Sequence, residues 1–334
     1  MDSSLLGQPG AVAADPPDVG VAAHYGDPHR EQRALVESVG LVDRSNREVL
    51  VVSGPDRLSW LHSLTTQRLS SLQPMRGAEA LVLSPHGHVE HHLVLLDDGE
   101  RTLIDVEPGT GTELRTYLDS MRFLLRVDVS DATAEWAVVS VVGPELDAAL
   151  SALGVGLAGT PYAVAALPAG GYARRMPGLG SPAADLLIPR SVLGELPTSV
   201  AAPLAGLSAY EALRVAARRP RLRHETDHRT IPHEVGWLES AVHLNKGCYR
   251  GQETVARVHN LGRPPRQLVL LHLDGVAESL PATGDPVQAD GARVGFVTTA
   301  ARHYELGPVA LALVKRATPD DADLTAAGVP AKIG

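Results

Sequence analysis

The chain has 334 residues, 44% of them hydrophobic and 21% charged, with a formal net charge of −9. At roughly 100–200 residues per domain this length predicts two or three domains with real apolar cores, and the acidic balance lacks the electrostatic footprint of a nucleic-acid binder. A single cysteine, Cys248, excludes an intrachain disulfide and the four-thiolate cage of a conventional iron–sulfur cluster.

Residues 1–20 are rich in Gly, Pro, Ala and Asp and predict a flexible tail. The start, Met1-Asp2-Ser3-Ser4, has no basic region and no apolar run, so a cytoplasmic location is expected. No stretch approaches ~18 apolar residues, so no membrane span or membrane partner is expected. Arg30 to Val39 reads as a helix stopped at Gly40. Glu48 to Val52 is a strand, and Asp56 to Leu64 a helix with Leu58, Leu61 and Leu64 on one stripe. Ala78 to Leu83 and Val89 to Leu96 read as strands joined at Ser84-Pro85-His86-Gly87, followed by the strand Leu103 to Val106. A helix from Thr112 to Leu124 precedes the strand Arg126 to Val129. Ala137 to Val142 reads as a buried strand, Glu145 to Leu153 and Leu207 to Ala217 as helices. After Gly262-Arg263-Pro264-Pro265-Arg266 the pattern changes to short strands, Leu268 to Leu273, Pro286 to Gln288, Arg293 to Thr299 and Val309 to Lys315. Turn residues separate them, which predicts a small β-barrel or sandwich. The expected division is a core over 21–262, split near 130, and a C-terminal unit over 263–334.

Three motifs invite chemistry and are better read plainly. Gly154-Val155-Gly156-Leu157-Ala158-Gly159 fits G-x-G-x-x-G, but a helix precedes it and Thr160-Pro161 follows. A dinucleotide loop needs a strand before and a helix after, so this is a helix exit. His224-Glu225-Thr226-Asp227-His228 fits H-E-x-x-H, yet it lies between Pro220 and Pro232 without an apolar stripe, and reads as a solvated loop rather than a zinc helix. In His86-Gly87-His88-Val89-Glu90-His91-His92 a regular strand would put His88, Glu90 and His92 on one face. Those side chains are suitable metal ligands, though a wet polar strand face is the commoner case.

The strongest signal is Lys246-Gly247-Cys248-Tyr249-Arg250-Gly251-Gln252-Glu253. Two glycines bracket the only thiol, and Gln252 to His259 reads as a helix. A thiolate near a helix N-terminus, with Lys246 and Arg250 close by, has a lowered pKa. A buried cysteine acting as a small hydrophobe is the alternative. K-G-C-Y-x-G-Q-E is the signature of the YgfZ family, which this chain resembles. Thr254-Val255-Ala256-Arg257, His259-Asn260-Leu261-Gly262 and the upstream Ile231-Pro232-His233-Glu234 are similar to the same family. Gly40-Leu41-Val42-Asp43-Arg44-Ser45 resembles the opening of GcvT-type proteins.

The resemblance implies an α+β, GcvT-like folate-binding fold, with a ferredoxin-like portion and a small C-terminal β-barrel. It implies a tetrahydrofolate or related reduced folate as cofactor. It also implies support for the assembly or repair of iron–sulfur enzymes, with an indirect effect on tRNA modification. Expected partners are iron–sulfur client enzymes or assembly proteins, with no direct nucleic-acid contact and no stably bound cluster. Aminomethyltransferases of this family carry a catalytic aspartate in a segment like G-x-V-x-D-D-L, where this chain has Gly87-His88-Val89-Glu90-His91-His92-Leu93. His92 stands at the aspartate, and imidazole and carboxylate differ by roughly 2.5 pKa units. Candidate folate contacts are Glu234, a carboxylate acceptor for paired pterin N–H groups, and Arg214 and Arg257 for the folate tail, joined by Tyr249 and Gln252. Cys248, Lys246 and Arg250 are the candidate functional groups. A folate-dependent one-carbon enzyme and a folate-sensing regulatory module are the competing readings.

Overall fold

The computed structural model describes residues 1–275 and 279–334. The strand Glu48–Ser53 shows how the core is organised. Leu50 and Val52 face one apolar cluster, Val49 faces another, and all three are buried. A strand covered on both faces reads as a continuous apolar run. It belongs to a five-stranded sheet in the order Arg76–Leu83, Val89–Asp97, Arg101–Val106, Glu48–Ser53, Asp128–Asp131. One face packs on the helices Arg57–Leu64 and Gly111–Ser120 through Trp60, Leu61, Leu114 and Leu118. The other meets a second sheet through Val49, Leu96 and Leu103 against Trp136, Val138 and Leu187.

That second sheet has six strands: Val164–Ala166, Tyr172–Met176, Ala183–Pro189, Trp136–Val142, Gly40–Asp43 and Leu204–Ala205. Gly40–Asp43 pairs with Trp136–Val142, so the two halves interleave and a single cut near 130 does not separate them. Four of its strands lie in 154–206, where glycines and prolines obscure any period in the sequence. The C-terminal strands close into a six-stranded barrel spanning Arg266–Leu273 to Val329–Ile333. Leu324–Ala326 and Val329–Ile333, too short to read from sequence, complete it through a turn in which Ala327 and Gly328 both take positive φ. The helix Leu207–Ala216 joins barrel to core, burying Ala212 and Val215 against Leu270, Val309 and Leu311.

Residues 1–20 are packed rather than loose. Leu5 is fully buried in the second sheet's core, and Val12–Ala13 pairs with Ala22–His24. Burying one leucine contributes roughly 1.5–3 kcal/mol, enough to hold a short segment down. The H-E-x-x-H stretch is not helical, but neither is it solvated throughout. Glu225 is wholly buried, accepting from Arg214, from the Arg221 N–H and from the Thr299 hydroxyl.

Candidate functional site

The Cys248 loop is held at several points, and the thiol itself is exposed. Lys246 turns inward. Its Nζ donates to the carbonyls of His62, Thr65 and Gln67, around the C-terminal end of the helix Arg57–Leu64. Those carbonyls lack helical partners, and an ammonium satisfies them. Burial pushes this lysine down to about 8, and Arg68 adds to the shift. Tyr249 is buried in an apolar cluster with Val89 and Trp237, and Lys246 lies 5.2 Å from its ring centroid. Arg250 pairs with Glu90 at 3.0 Å, and the Gln252 side chain donates weakly to the Lys246 carbonyl at 3.5 Å. Gly251, at φ +80°, caps the helix Gln252–Leu261 and meets Gly87 so closely that a Cβ there would stand 2.9 Å from the Gly87 Cα. The glycines are thus required by a close backbone crossing as well as by the turn. Both expected cationic neighbours of Cys248 are committed elsewhere, one to backbone carbonyls and one to Glu90.

The histidine strand departs from simple alternation. Leu81 pairs with His92 and Val82 with His91, but Leu83 pairs with Val89, so Glu90 forms a β-bulge. His92 therefore shares its face with Val89, and the expected grouping of His88, Glu90 and His92 is broken. No group of three or more His, Cys, Asp or Glu side chains among the described residues is placed to hold a metal ion. His92 is 7% exposed, its ring stacked 4.6 Å from that of Trp237. Its Nε2 lies 3.5 Å from Glu79 Oε2, an ion-pair distance rather than a hydrogen bond. Burial pushes the Glu79 carboxyl up, but His92 and Arg219 hold it well below the usual carboxylate range. His91, on the opposite face, is driven down to about 4 by burial, against Glu113 and with Arg223. Its unfolded value is near 6.5, so its contribution is complete above about pH 6.5 and is lost as pH falls towards 4. We expect about 3 kcal/mol of stability to disappear over that window. Melting temperature against pH should show this acid limb, and His91→Phe should flatten it.

Around His92 lies a lattice of buried ion pairs. Arg47 bridges Asp105 at 2.8 Å and Glu107 at 2.7 Å, and Arg174 bridges Asp105 at 2.7 Å and Asp185 at 3.2 Å. Arg221 joins Glu107 at 2.8 Å to Asp18 at 2.7 Å. Arg214, a sequence candidate for the folate tail, belongs to this lattice through Glu211 at 2.7 Å and Glu225 at 2.9 Å. Burial pushes Glu211 up, yet Arg214 and Arg221 hold it at about 2. Glu234 is likewise occupied: Arg266 donates to both its oxygens at 2.8 Å, and the Ile231 N–H donates at 3.1 Å. Arg257 is exposed on the helix Gln252–Leu261. Neither Glu234 nor Arg257 reaches the two cavities described next.

A central cavity of about 60 Å³ is lined by Glu79, His92, Arg44, Asp105, Asp185 and Arg219, among others. A larger one, about 640 Å³, lies between core and barrel, with Leu207, Ala300 and Ala301 in its wall and Asp15, Asp18, Asp27 and Glu211 supplying carboxylates. Sequence reasoning missed Glu79, Asp105, Arg174 and Asp185. For the three carboxylates the signal was a lone charge inside an apolar strand, as in Leu103-Ile104-Asp105-Val106 and Ala184-Asp185-Leu186-Leu187.

The GCVT N-terminal domain family matches residues 12–165, and the glycine cleavage T-protein C-terminal barrel domain family matches residues 266–332. A chloroplastic protein of Arabidopsis thaliana, provisionally named a transferase, is 28% identical over 84% of this chain and 66% of its own length. An aminomethyltransferase of Streptomyces avermitilis is 26% identical over 92% of this chain and 87% of its own length. The crystal structure of the glycine cleavage system aminomethyltransferase T from Bartonella henselae superposes with a TM-score of 0.85, at 17% identity, over 98% of this chain and 93% of that one. With two sheets and a closed barrel on the page, the chain has a GcvT-like fold, with a GCVT N-terminal domain followed by a glycine cleavage T-protein C-terminal barrel domain.

Proposed function

We propose that this chain is a reduced-folate-binding protein of the YgfZ type that supports assembly or repair of iron–sulfur enzymes. The observation that carries this reading is the Cys248 loop. Lys246, Tyr249, Arg250 and the Gly87–Gly251 crossing pin it, and the thiol they present is exposed. So much scaffolding around one exposed soft nucleophile suits a thiol that meets a partner's iron or sulfur. The acidic net charge fits an indirect role in tRNA modification. Aminomethyl transfer is the second reading, favoured by the names of the relatives and opposed by His92 in place of a carboxylate.

The core–barrel cavity suits a folate. Its volume of about 640 Å³ falls in the ordinary range for small-molecule sites. Its carboxylates suit the adjacent N–H donors of a pterin, and Leu207, Ala300 and Ala301 suit the ring faces. A reduced folate would supply one-carbon donor or acceptor chemistry there. Calorimetry with tetrahydrofolate tests the assignment. Ala300→Trp fills the cavity from a barrel strand, and is expected to weaken binding tenfold or more while the melting temperature stays near wild type. If the wild type shows no binding at millimolar folate, the folate assignment fails.

A further inference from the structure

Three successive large apolar side chains stand in solvent. Phe123 is 84% exposed, Leu124 100% and Leu125 43%, the only such run among the described residues. Scattered exposed leucines are ordinary, but a contiguous exposed run marks a surface that something covers. The run is also firmly held. It follows the helix Gly111–Ser120, and a turn closes it, the Leu125 N–H donating to the Arg122 carbonyl at 3.0 Å. The Trp60 indole donates to the Met121 carbonyl at 3.0 Å, and the Arg126 N–H to Asp56 at 2.9 Å. Phe123 takes φ +46°, a conformation that a bulky residue rarely adopts. The turn alone favours Gly or Asn there, so the aromatic ring serves something other than the turn.

What covers the run follows from its collar and its neighbours. Arg122 pairs with Asp119 at 3.2 Å and Asp128 at 3.5 Å, and Arg126 pairs with Asp56 at 3.0 Å. Two arginines against three aspartates leave this collar without net positive charge, which disfavours an anionic lipid surface. Three side chains fall far short of the ~800 Å² per partner that a stable dimer of this chain needs. Another protein is the occupant that fits, taking these side chains into an apolar pocket as central anchors. Contacts also lead from the run back to the thiol loop. Tyr117 and Met121, about one helical turn apart, pack on the same apolar cluster, and the Arg250 guanidinium lies 5.8 Å from the Tyr117 ring centroid. Arg250 is two residues from the exposed Cys248. We infer that Phe123-Leu124-Leu125 is a docking surface on which an iron–sulfur protein seats, bringing its iron or sulfur to Cys248. This rests on the role proposed above for the thiol and adds where the client is held.

The double variant Phe123→Asn with Leu124→Ser removes the surface. Both side chains are exposed and Asn suits a positive φ, so the melting temperature should hold or rise slightly. Alkylation of Cys248 by iodoacetamide should keep the wild-type rate. In cells lacking the protein, the double variant should restore several-fold less 4Fe–4S enzyme activity than wild type. Leu124→benzoylphenylalanine, photolysed in those cells, should give a covalent adduct with an iron–sulfur protein. The same group at Arg115, exposed on the adjoining helix, should not. Phosphatidylglycerol vesicles should not pellet the wild type. Full complementation by the folded double variant overturns the docking surface, even where Cys248→Ser fails to complement and the thiol's role stands. Failure of the double variant beside full complementation by Cys248→Ser means the opposite: the surface stands and the thiol reading falls. Vesicle pelleting that depends on Phe123 and Leu124, adducts only with a second copy of this chain, or no adduct with an iron–sulfur protein would each overturn the inference.

Discussion

Glu234→Ala is expected to destabilise the protein by about 3 kcal/mol. The side chain is 1% exposed, and Arg266 grips it with two hydrogen bonds of 2.8 Å. Arg266 opens the first barrel strand, Arg266–Leu273, while Glu234 sits in the core's short helix Pro232–Glu234. The pair therefore ties barrel to core. Removing the carboxylate strands a partly buried guanidinium, which keeps only Asp227 and Thr230, and deprives the Ile231 N–H of its acceptor. Breaking a buried pair from one side costs far more than the pair contributes net. The double variant Glu234→Leu with Arg266→Met should accordingly lose less than the sum of the single changes. Denaturant unfolding of the four proteins measures this. A pterin-binding Glu234 makes the opposite forecast, with stability unchanged and folate affinity reduced. An unchanged midpoint for Glu234→Ala would remove the structural role assigned here.

What the sequence revealed and what it hid divide along physical lines. The strand Glu48–Ser53, the helix Arg57–Leu64 and the barrel strand Gly307–Lys315 carry uniform apolar runs or stripes bounded by turn residues, and all three were legible. Tyr172–Met176 was not, because Arg174 and Arg175 make it look like a surface segment. In the fold Arg174 is fully buried, and only the distant partners Asp105 and Asp185 make that tolerable. Local sequence cannot announce such a pairing. The same limit applies to the site. K-G-C-Y-R-G-Q-E identified the loop, but not that Lys246 would face inward to helix carbonyls. The bulge at Glu90 shifts His92 to another face, and no residue type there demands it. Glu234 and Arg214 carry chemistry that suits a folate. The fold spends that chemistry on ion pairs within the chain.

Cys248→Ser carries the largest functional effect in this account. The thiol is exposed, so the substitution leaves no cavity and no unpaired buried group, and melting temperature should stay within about a degree of wild type. A hydroxyl nearly matches the thiol in size but is a poor ligand for iron and a poor nucleophile towards sulfur. Loss should therefore appear in client enzymes rather than in the protein itself. The decisive measurement is the activity of 4Fe–4S enzymes in cells lacking this protein, complemented with wild type or with Cys248→Ser, beside a glycine-cleavage assay of the purified wild type. The account predicts restored activity with wild type, activity near the deletion level with a stable Cys248→Ser protein, and no aminomethyl transfer. Full complementation by Cys248→Ser, together with robust aminomethyl transfer by the wild type, would contradict it and return the chain to the transferases it resembles.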